Sequence, residues 1–293
     1  MDLNGLRSFV AVAEAGGFSA AAQQLHRTQP AISKRIAALE EQIDRRPFDR
    51  IGRRVQLTDA GRALLPYARQ CLASLDDGVH ALSRLGDAVA GRLSIGTSHH
   101  IGLHRLPPVL GAYTQRYPAV DLDIHFMDSE VACEAVLAGE LELGIVTLPT
   151  NPPPTLACQP VWDDPLRVVV AAGDPWCSRP SLPIQALAER PAVLPDEATY
   201  THRIIRAELA RHGIAPRVRL ATNYLETLKM LVSIGLGWSL LPETMVDDSL
   251  CALTVPDLQA GRCLGVVSHR DRTLSAAASA LLAATEANGD GAQ

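Results

Sequence analysis

The side chains best suited to chemistry gather near the start of the sequence. Gln29, Ser33 and Lys34, flanked by Arg35, share one side of a stretch whose other side is apolar. Gln pairs bidentately with adenine, Lys and Arg meet guanine or phosphate, and Ser serves either partner. Basic residues surround them: Arg27, Lys34, Arg35, Arg45, Arg46, Arg50, Arg53 and Arg54. Residues 1–57 hold nine Arg or Lys against six Asp or Glu, about +3, while the 293-residue chain is at −5, which leaves about −8 on the remainder. A phosphate backbone would therefore meet the first segment and be repelled by the rest. Taken alone, such polar residues also suit an ordinary solvated helix face.

A second set lies further along. Thr97-Ser98-His99-His100 follows one candidate strand and Thr147 another, Thr199-Tyr200-Thr201-His202-Arg203 opens a candidate helix, and Asn223 follows a third strand. In open α/β sheets ligands bind beyond the carboxyl ends of strands, where hydroxyls and unpaired helix amides can cradle a carboxylate or small oxyanion. The site expected is Thr97, Ser98, His99, His100, Thr147, Tyr200, Thr201 and Asn223. Thr and Ser at such junctions also serve as plain helix caps. Adjacent His99 and His100 point in different directions and the sequence shows no third ligand beside them, so no metal is expected. The six cysteines (Cys71, Cys133, Cys158, Cys177, Cys251, Cys263) form no C-x-x-C pair and read as inert, buried thiols. No Gly-x-Ser-x-Gly elbow, phosphate-binding Gly-rich loop or His-Glu-x-x-His is present, so neither an enzyme nor a cofactor is expected.

The elements that position the first set are helical. Leu3, Leu6, Phe9, Val10 and Ala13 share a face, and Gly16-Gly17 ends that helix. Ser19 is expected to cap a second helix over Ala20–Leu25, whose three alanines would allow a close crossing. After a turn at His26-Arg27, Thr28 is expected to cap a third helix with Pro30 in its first turn. Ile32, Ile36, Leu39 and Ile43 line its core side, leaving Gln29, Ser33 and Lys34 near the end that a recognition helix pushes into the major groove.

The order of these signals carries more weight than any one of them. Phe18-Ser19-Ala20-Ala21-Ala22, Gln29 through Glu40, Phe48-Asp49-Arg50 and Arg53 through Gly61 together strongly resemble the LysR-type transcriptional regulators. The resemblance implies an all-α winged helix-turn-helix head. Its DNA-contacting residues would be Arg27, Thr28, Gln29, Pro30, Ser33, Lys34, Arg35, Arg53 and Arg54, the last two on a wing spanning Arg50–Leu57. Two positions depart from the family: Asp44 stands where a helix-ending Gly is usual, and Pro47 precedes Phe48 where Leu is common. Asp tolerates left-handed angles, so the helix can still end there.

From Thr58 to about Arg84, Leu64, Ala68, Cys71, Leu75, Val79 and Leu82 step by three and four, a seam suited to a partner helix. Burial on the chain's own body is the plainer alternative, and the resemblance implies an antiparallel linker-helix dimer. Beyond Gly91, apolar runs at 92–96, 122–126, 143–146, 166–171, 218–220, 238–241 and 264–267 alternate with helical stretches. The resemblance implies an α/β, two-lobed, periplasmic-binding-protein-like (type 2) domain with crossovers near Val161 and Cys263, and Gly235 through Pro242 is a typical late segment of it. The expected layout is a head at 1–58, a linker at 59–90 and an effector domain at 91–293, with lobe one at 91–161 and 264–293 and lobe two at 162–263.

Partners expected are double-stranded DNA bearing an inverted repeat, a small carboxylate or oxyanion effector, further copies of the chain as dimer or tetramer, and RNA polymerase. No apolar run approaches the roughly 20 residues needed to cross a bilayer, so a cytoplasmic protein is expected, and the resemblance implies a bacterial regulator. The rival reading is a ligand-independent repressor or architectural protein whose second half only oligomerises.

Overall fold

The computed structural model describes residues 2–51, 54–83 and 89–289. They divide into two compact units: Met1–Gly86 with Ala138–Glu140, and the remainder.

In the first unit, Asp2 accepts the Gly5 amide at 2.5 Å and starts α1 (Leu3–Ala15), which ends at Gly16 with φ 66°. The buried face of α1 holds Leu6, Phe9 and Val12; Leu3 is exposed and Val10 and Ala13 are only half-buried. The apolar face is thus rotated from the one the sequence suggests, because the side carrying Phe9 and Val12 meets the neighbouring helices. The second helix, α2 (Phe18–Gln24), has Gly17 at its N-cap, and Ser19 is an exposed residue inside it rather than the cap. Ala21 and Ala22 are buried, where small side chains permit close packing, and Ala20 faces solvent.

Thr28 stands at the N-cap of α3 (Gln29–Ile43) with Pro30 in the first turn, though its hydroxyl makes no capping bond. Ile32, Ile36 and Leu39 are buried and Ile43 is half-buried. Asp44 ends the helix with φ 50°, doing what Gly does elsewhere. A hairpin of β1 (Phe48–Ile51) and β2 (Arg54–Leu57) follows, with Phe48 opposite Leu57. The Phe48 ring lies 5.3 Å from that of Phe9 and 6.0 Å from that of Phe18, which anchors the hairpin in the helical core. Each such aromatic pair contributes about 0.5–1.5 kcal/mol beyond its burial.

Thr58 then accepts the Gly61 amide at 3.1 Å and donates to the Arg46 carbonyl at 2.6 Å, fixing the start of α4 (Asp59–Ser83). Gly61 is needed there, since a Cβ would collide with the Pro47 carbonyl. Ala68 is buried in the head's core with Leu64 and Leu72 against it, so the first part of the expected dimer seam packs on its own body. Cys71 and Leu75 remain exposed, and the side chains of Val79 and Leu82 lie outside the described residues.

The second unit runs β3 (Gly91–Thr97), α5 (His99–His104), α6 (Leu106–Arg116), β4 (Val120–Phe126), α7 (Ser129–Leu137), β5 (Leu143–Thr147), β6 (Leu156–Ala171), β7 (Pro191–Leu194), α8 (Tyr200–Arg211), β8 (Arg217–Ala221), α9 (Leu225–Ser233), β9 (Ser239–Pro242), β10 (Leu250–Leu253), β11 (Gly261–His269) and α10 (Ala276–Glu286). Its main sheet has the order β10-β6-β11-β5-β3-β4, with β9 also on β6. In one lobe β4, β3 and β5 are parallel and β11 closes them antiparallel. In the other, β9 and β10 pair with the far half of β6, while β7 and β8 form a parallel pair.

The long strand β6 belongs to both lobes. It pairs with β11 from Leu156↔His269 to Pro165↔Gly261, with a shift between Leu264 and Gly265. One lobe is filled by Leu93, Ile95, Leu143, Ile145, Trp162, Leu264 and Leu281, and the other by Val168, Val170, Trp176, Leu194, Ile205, Trp238 and Leu240. Every strand expected from sequence is present, but β6 begins ten residues before the expected 166, and β7 and β10 escape the reading.

Candidate functional site

Between the two lobes of the second unit lies a cleft with a cavity volume of about 50 Å³. A cavity that size holds roughly three to five waters, at about 10–15 Å³ each. Ser98, His99, His100, Asp128, Ser129, Glu130 and Thr147 line one side, Pro195, Thr199, Thr201, Asn223, Tyr224 and Leu225 the other, and Arg262 comes from the crossover strand. These residues stand at strand ends and in the first turns of α5, α7, α8 and α9, which direct their positive ends toward the cleft.

Of the residues named from sequence, the cleft collects Ser98, His99, His100, Thr147, Thr201 and Asn223. Two fall outside it. Thr97 is fully buried and spends its hydroxyl on the Ile145 carbonyl at 2.9 Å, because it is the last residue of an interior strand. The Tyr200 ring stacks with the Arg203 guanidinium, lines a separate outer groove and packs against the core around Cys133, to which its side chain hydrogen-bonds; its amide donates to Glu130.

The sequence reading missed Asp128, Ser129, Glu130 and Tyr224, together with the buried cation of the cleft, Arg262. Its side chain is 4% exposed and that of Asp164 is fully buried. Arg262 Nε donates to Asp164 Oδ2 at 2.9 Å, its two terminal nitrogens reach Asp164 and the Thr201 hydroxyl (3.1 Å), and Arg105 approaches Asp164 Oδ1 at 3.7 Å. Two guanidinium groups thus share one carboxylate.

Cross-lobe polar contacts complete the cleft. Asn223 Nδ2 donates to Asp128 Oδ2 at 2.7 Å, the buried Asn223 Oδ1 has no partner among the described residues, and His104 Nε2 lies 2.7 Å from Glu226 Oε1. The His99 ring stacks on Phe126 at 5.3 Å and tilts against Tyr224 at 5.1 Å. Burial, with Arg262, His104 and Arg105 nearby, drives the His100 imidazole down to about 3, so the ring is neutral. Burial also raises the Glu130 carboxyl, and pushes the thiols of Cys133 and Cys251 up to about 12 and about 11, well away from the reactive thiolate range.

In the first unit, Arg27, Thr28, Gln29, Pro30 and Lys34 are exposed, and Ser33 and Arg35 are half-buried. Gln29 Nε2 donates to Ser33 Oγ at 3.3 Å, so these two side chains form one polar surface on the first turns of α3. Arg53 lies outside the described residues, as does the side chain of Arg54, whose backbone opens β2. Among the described residues, no helix is long and apolar enough to cross a membrane.

The model of a family described as "bacterial regulatory helix-turn-helix protein, lysR family" matches residues 3–62, and that of "LysR substrate binding domain" matches residues 86–289. An HTH-type transcriptional regulator of Azotobacter vinelandii is 62% identical over 108 residues, which cover 37% of this chain and 75% of the other. The HTH-type transcriptional regulator IlvR of Caulobacter vibrioides is 33% identical over 249 residues, 84% of this chain and 83% of its own. Among solved structures, a full-length OxyR variant from Pseudomonas aeruginosa matches with a TM-score of 0.76 at 23% identity over 98% of each chain, a likeness of fold.

Proposed function

The chain belongs to the LysR family of DNA-binding transcriptional regulators, and on that premise we propose that its action on DNA is set by a small effector, anionic at one end, held in the cleft between the lobes of the second unit. The observation that carries this reading is the Arg105–Asp164–Arg262 cluster. Two buried or half-buried cations share one carboxylate, so the cluster itself carries one excess positive charge where Arg262 lines a cleft that Asp128 and Glu130 also line. A guanidinium carries five N–H donors, and Arg262 uses three, so two are left for an anion. Glu130 adds support: the protein's own carboxylate already sits on the first amide of α8.

The other end of the effector is a hydrogen-bond donor, a hydroxyl or an amino group. Asn223 Oδ1 is an orphaned acceptor, and buried acceptors are almost always paired. The cavity suits a compact hydroxy- or amino-carboxylate, or a small oxyanion, better than an extended ligand. Such a ligand shifts the lobes toward the closure that it binds best, and so shifts the arrangement of DNA heads across the oligomer.

On the DNA side we assign base contacts to Gln29, Pro30, Ser33 and Lys34, and phosphate or minor-groove contacts to Arg27, Thr28, Arg35, Arg53 and Arg54. The operator is an imperfect inverted repeat read by a dimer joined through α4, the protein works in the cytoplasm, it engages RNA polymerase, and no catalysis is assigned to it. Residues 1–58, 59–90 and 91–293 are the corresponding functional segments.

The test is thermal unfolding of the full chain against a panel of hydroxy acids, amino acids, simple carboxylates and inorganic oxyanions. Trp162, Trp176 and Trp238 all lie in the second unit, so tryptophan fluorescence follows that unit alone. A ligand at 100 times its dissociation constant stabilises by about 2.7 kcal/mol. A panel in which nothing raises the transition would refute the effector reading.

A further inference from the structure

We propose that His100, His104 and Glu226 form a binding site for one divalent transition-metal ion, zinc being the reference ion, that joins α5 of one lobe to α9 of the other. This proposal goes beyond the effector reading and does not depend on it.

The two histidines lie four residues apart on α5, one turn along the same face, with ring centroids 4.8 Å apart. Glu226 is in the first turn of α9 and reaches His104 across the cleft. One ligand atom from each of the three lies within 4.8 Å of the others. A tetrahedral zinc site with bonds of about 2.0–2.1 Å holds its ligand atoms about 3.3 Å apart. The widest separation therefore needs to close by about 1.5 Å, while His104 Nε2 and Glu226 Oε1, now in hydrogen-bond contact at 2.7 Å, must part by about 0.6 Å to admit the ion between them, adjustments that side-chain torsions supply.

A second, independent observation points to a ligand. His100 is only 5% exposed, and among the described residues neither of its ring nitrogens has a hydrogen-bond partner. Buried polar atoms with no partner are rare, and a metal bond would satisfy one of these nitrogens. Two imidazoles and one carboxylate form a donor set that selects zinc, nickel, cobalt or copper over calcium and magnesium, which take oxygen ligands. Three protein ligands also leave the fourth tetrahedral position open. The ion adds charge near Arg105 and Arg262, and Asp164, Glu226, Asp128 and Glu130 supply the opposing charge.

Because the ligands come from both lobes, ion occupancy biases the lobe geometry directly. This gives the regulator a metal input distinct from any organic effector.

The test titrates the full chain, stripped by a chelator, with Zn²⁺ by calorimetry and with Co²⁺ by visible absorption. The wild type is expected to take up one ion per chain and to show the intense d–d bands of tetrahedral Co²⁺. His104→Ala, at an exposed position whose loss leaves the core intact, should weaken Zn²⁺ binding by about 100-fold or more and abolish those bands. Glu226→Gln should weaken it by about tenfold, and His125→Ala, at an exposed histidine on β4, should leave it unchanged. Unaltered tryptophan fluorescence in each variant establishes that the second unit is folded. The proposal is overturned by wild-type uptake below about half an ion per chain, or by His104→Ala binding Zn²⁺ within about threefold of the wild type.

Discussion

The Asp164–Arg262 pair permits a prediction whose outcome depends on which partner is removed. Removing one member of a buried ion pair costs about 3–5 kcal/mol, because the other charge is left uncompensated. Arg262→Met leaves Asp164 with Arg105, 3.7 Å away, as a substitute partner. Its cost should fall at the low end, about 3 kcal/mol. Asp164→Leu instead leaves two guanidinium groups without their only shared carboxylate, and should cost about 5 kcal/mol. The double variant retains only the partly exposed Arg105, deprived of the Asp164 carboxylate but still within reach of the Asp163 carbonyl at 3.4 Å, and should cost no more than the worse single change, a coupling on the order of 3 kcal/mol. Urea unfolding of the full chain, followed by tryptophan fluorescence, measures all three. The pair is not what stabilises the cleft floor if either single change costs under about 1 kcal/mol, or if the two costs simply add. The double variant, folded but without the cleft cation, should also fail to respond to any anion that stabilises the wild type.

Further consequences concern DNA and assembly. Gln29→Ala with Ser33→Ala should loosen discrimination among operator variants, at about 1–3 kcal/mol per lost bidentate contact, measured by competition binding against single-base substitutions. Arg53→Ala should weaken binding to all sequences alike and lower the slope of log affinity against log salt by about one; an unchanged slope would contradict a phosphate contact there. Leu75→Glu, at a position 38% exposed on α4, should dissociate the oligomer in sedimentation experiments without altering the monomer's fold. Ala68→Glu, at 1% exposure, should unfold the head instead.

What the sequence displays well is whatever depends on near neighbours. The helix stop at Gly16, the left-handed Asp44 and the Ile32/Ile36/Leu39 stripe are settled within a few residues, and the strand ends that surround the cleft follow from short apolar runs. The rotated face of α1 is not legible, and the inward packing of Ala68 is legible only as the alternative to a dimer seam, because several faces of those helices carry apolar residues and only tertiary contact selects among them. Strand β6 is hidden by Pro160, Asp163, Asp164 and Pro165, residues that argue against a strand yet here pair with Gly265 through Gly261 across a shifted register. Arg262 carries no local signal: it sits 98 residues from Asp164 and 61 from Thr201, so only the fold unites them. Glu226 is remote in the same way, 122 residues beyond His104, whereas His104 stands only four residues from His100 and is legible beside it.

The shared strand pair has a consequence for how the protein is made. The lobe that begins at β3 draws core residues from both ends of the second unit: Leu93, Ile95, Leu143 and Ile145 on one side, and Leu264, Val266, Ala277, Ala278 and Leu281 on the other. On the ribosome, about 120 residues separate Ile145 from Leu264, which at roughly 5–20 residues per second takes about 6–24 s. During that interval the first half of this core is exposed, while the intervening lobe can already fold. The earliest-synthesised lobe is thus the last to be completed, its unpaired β5 edge awaiting β11. Translation speed and chaperone supply over this stretch therefore bear on yield more than substitutions in the folded core would suggest.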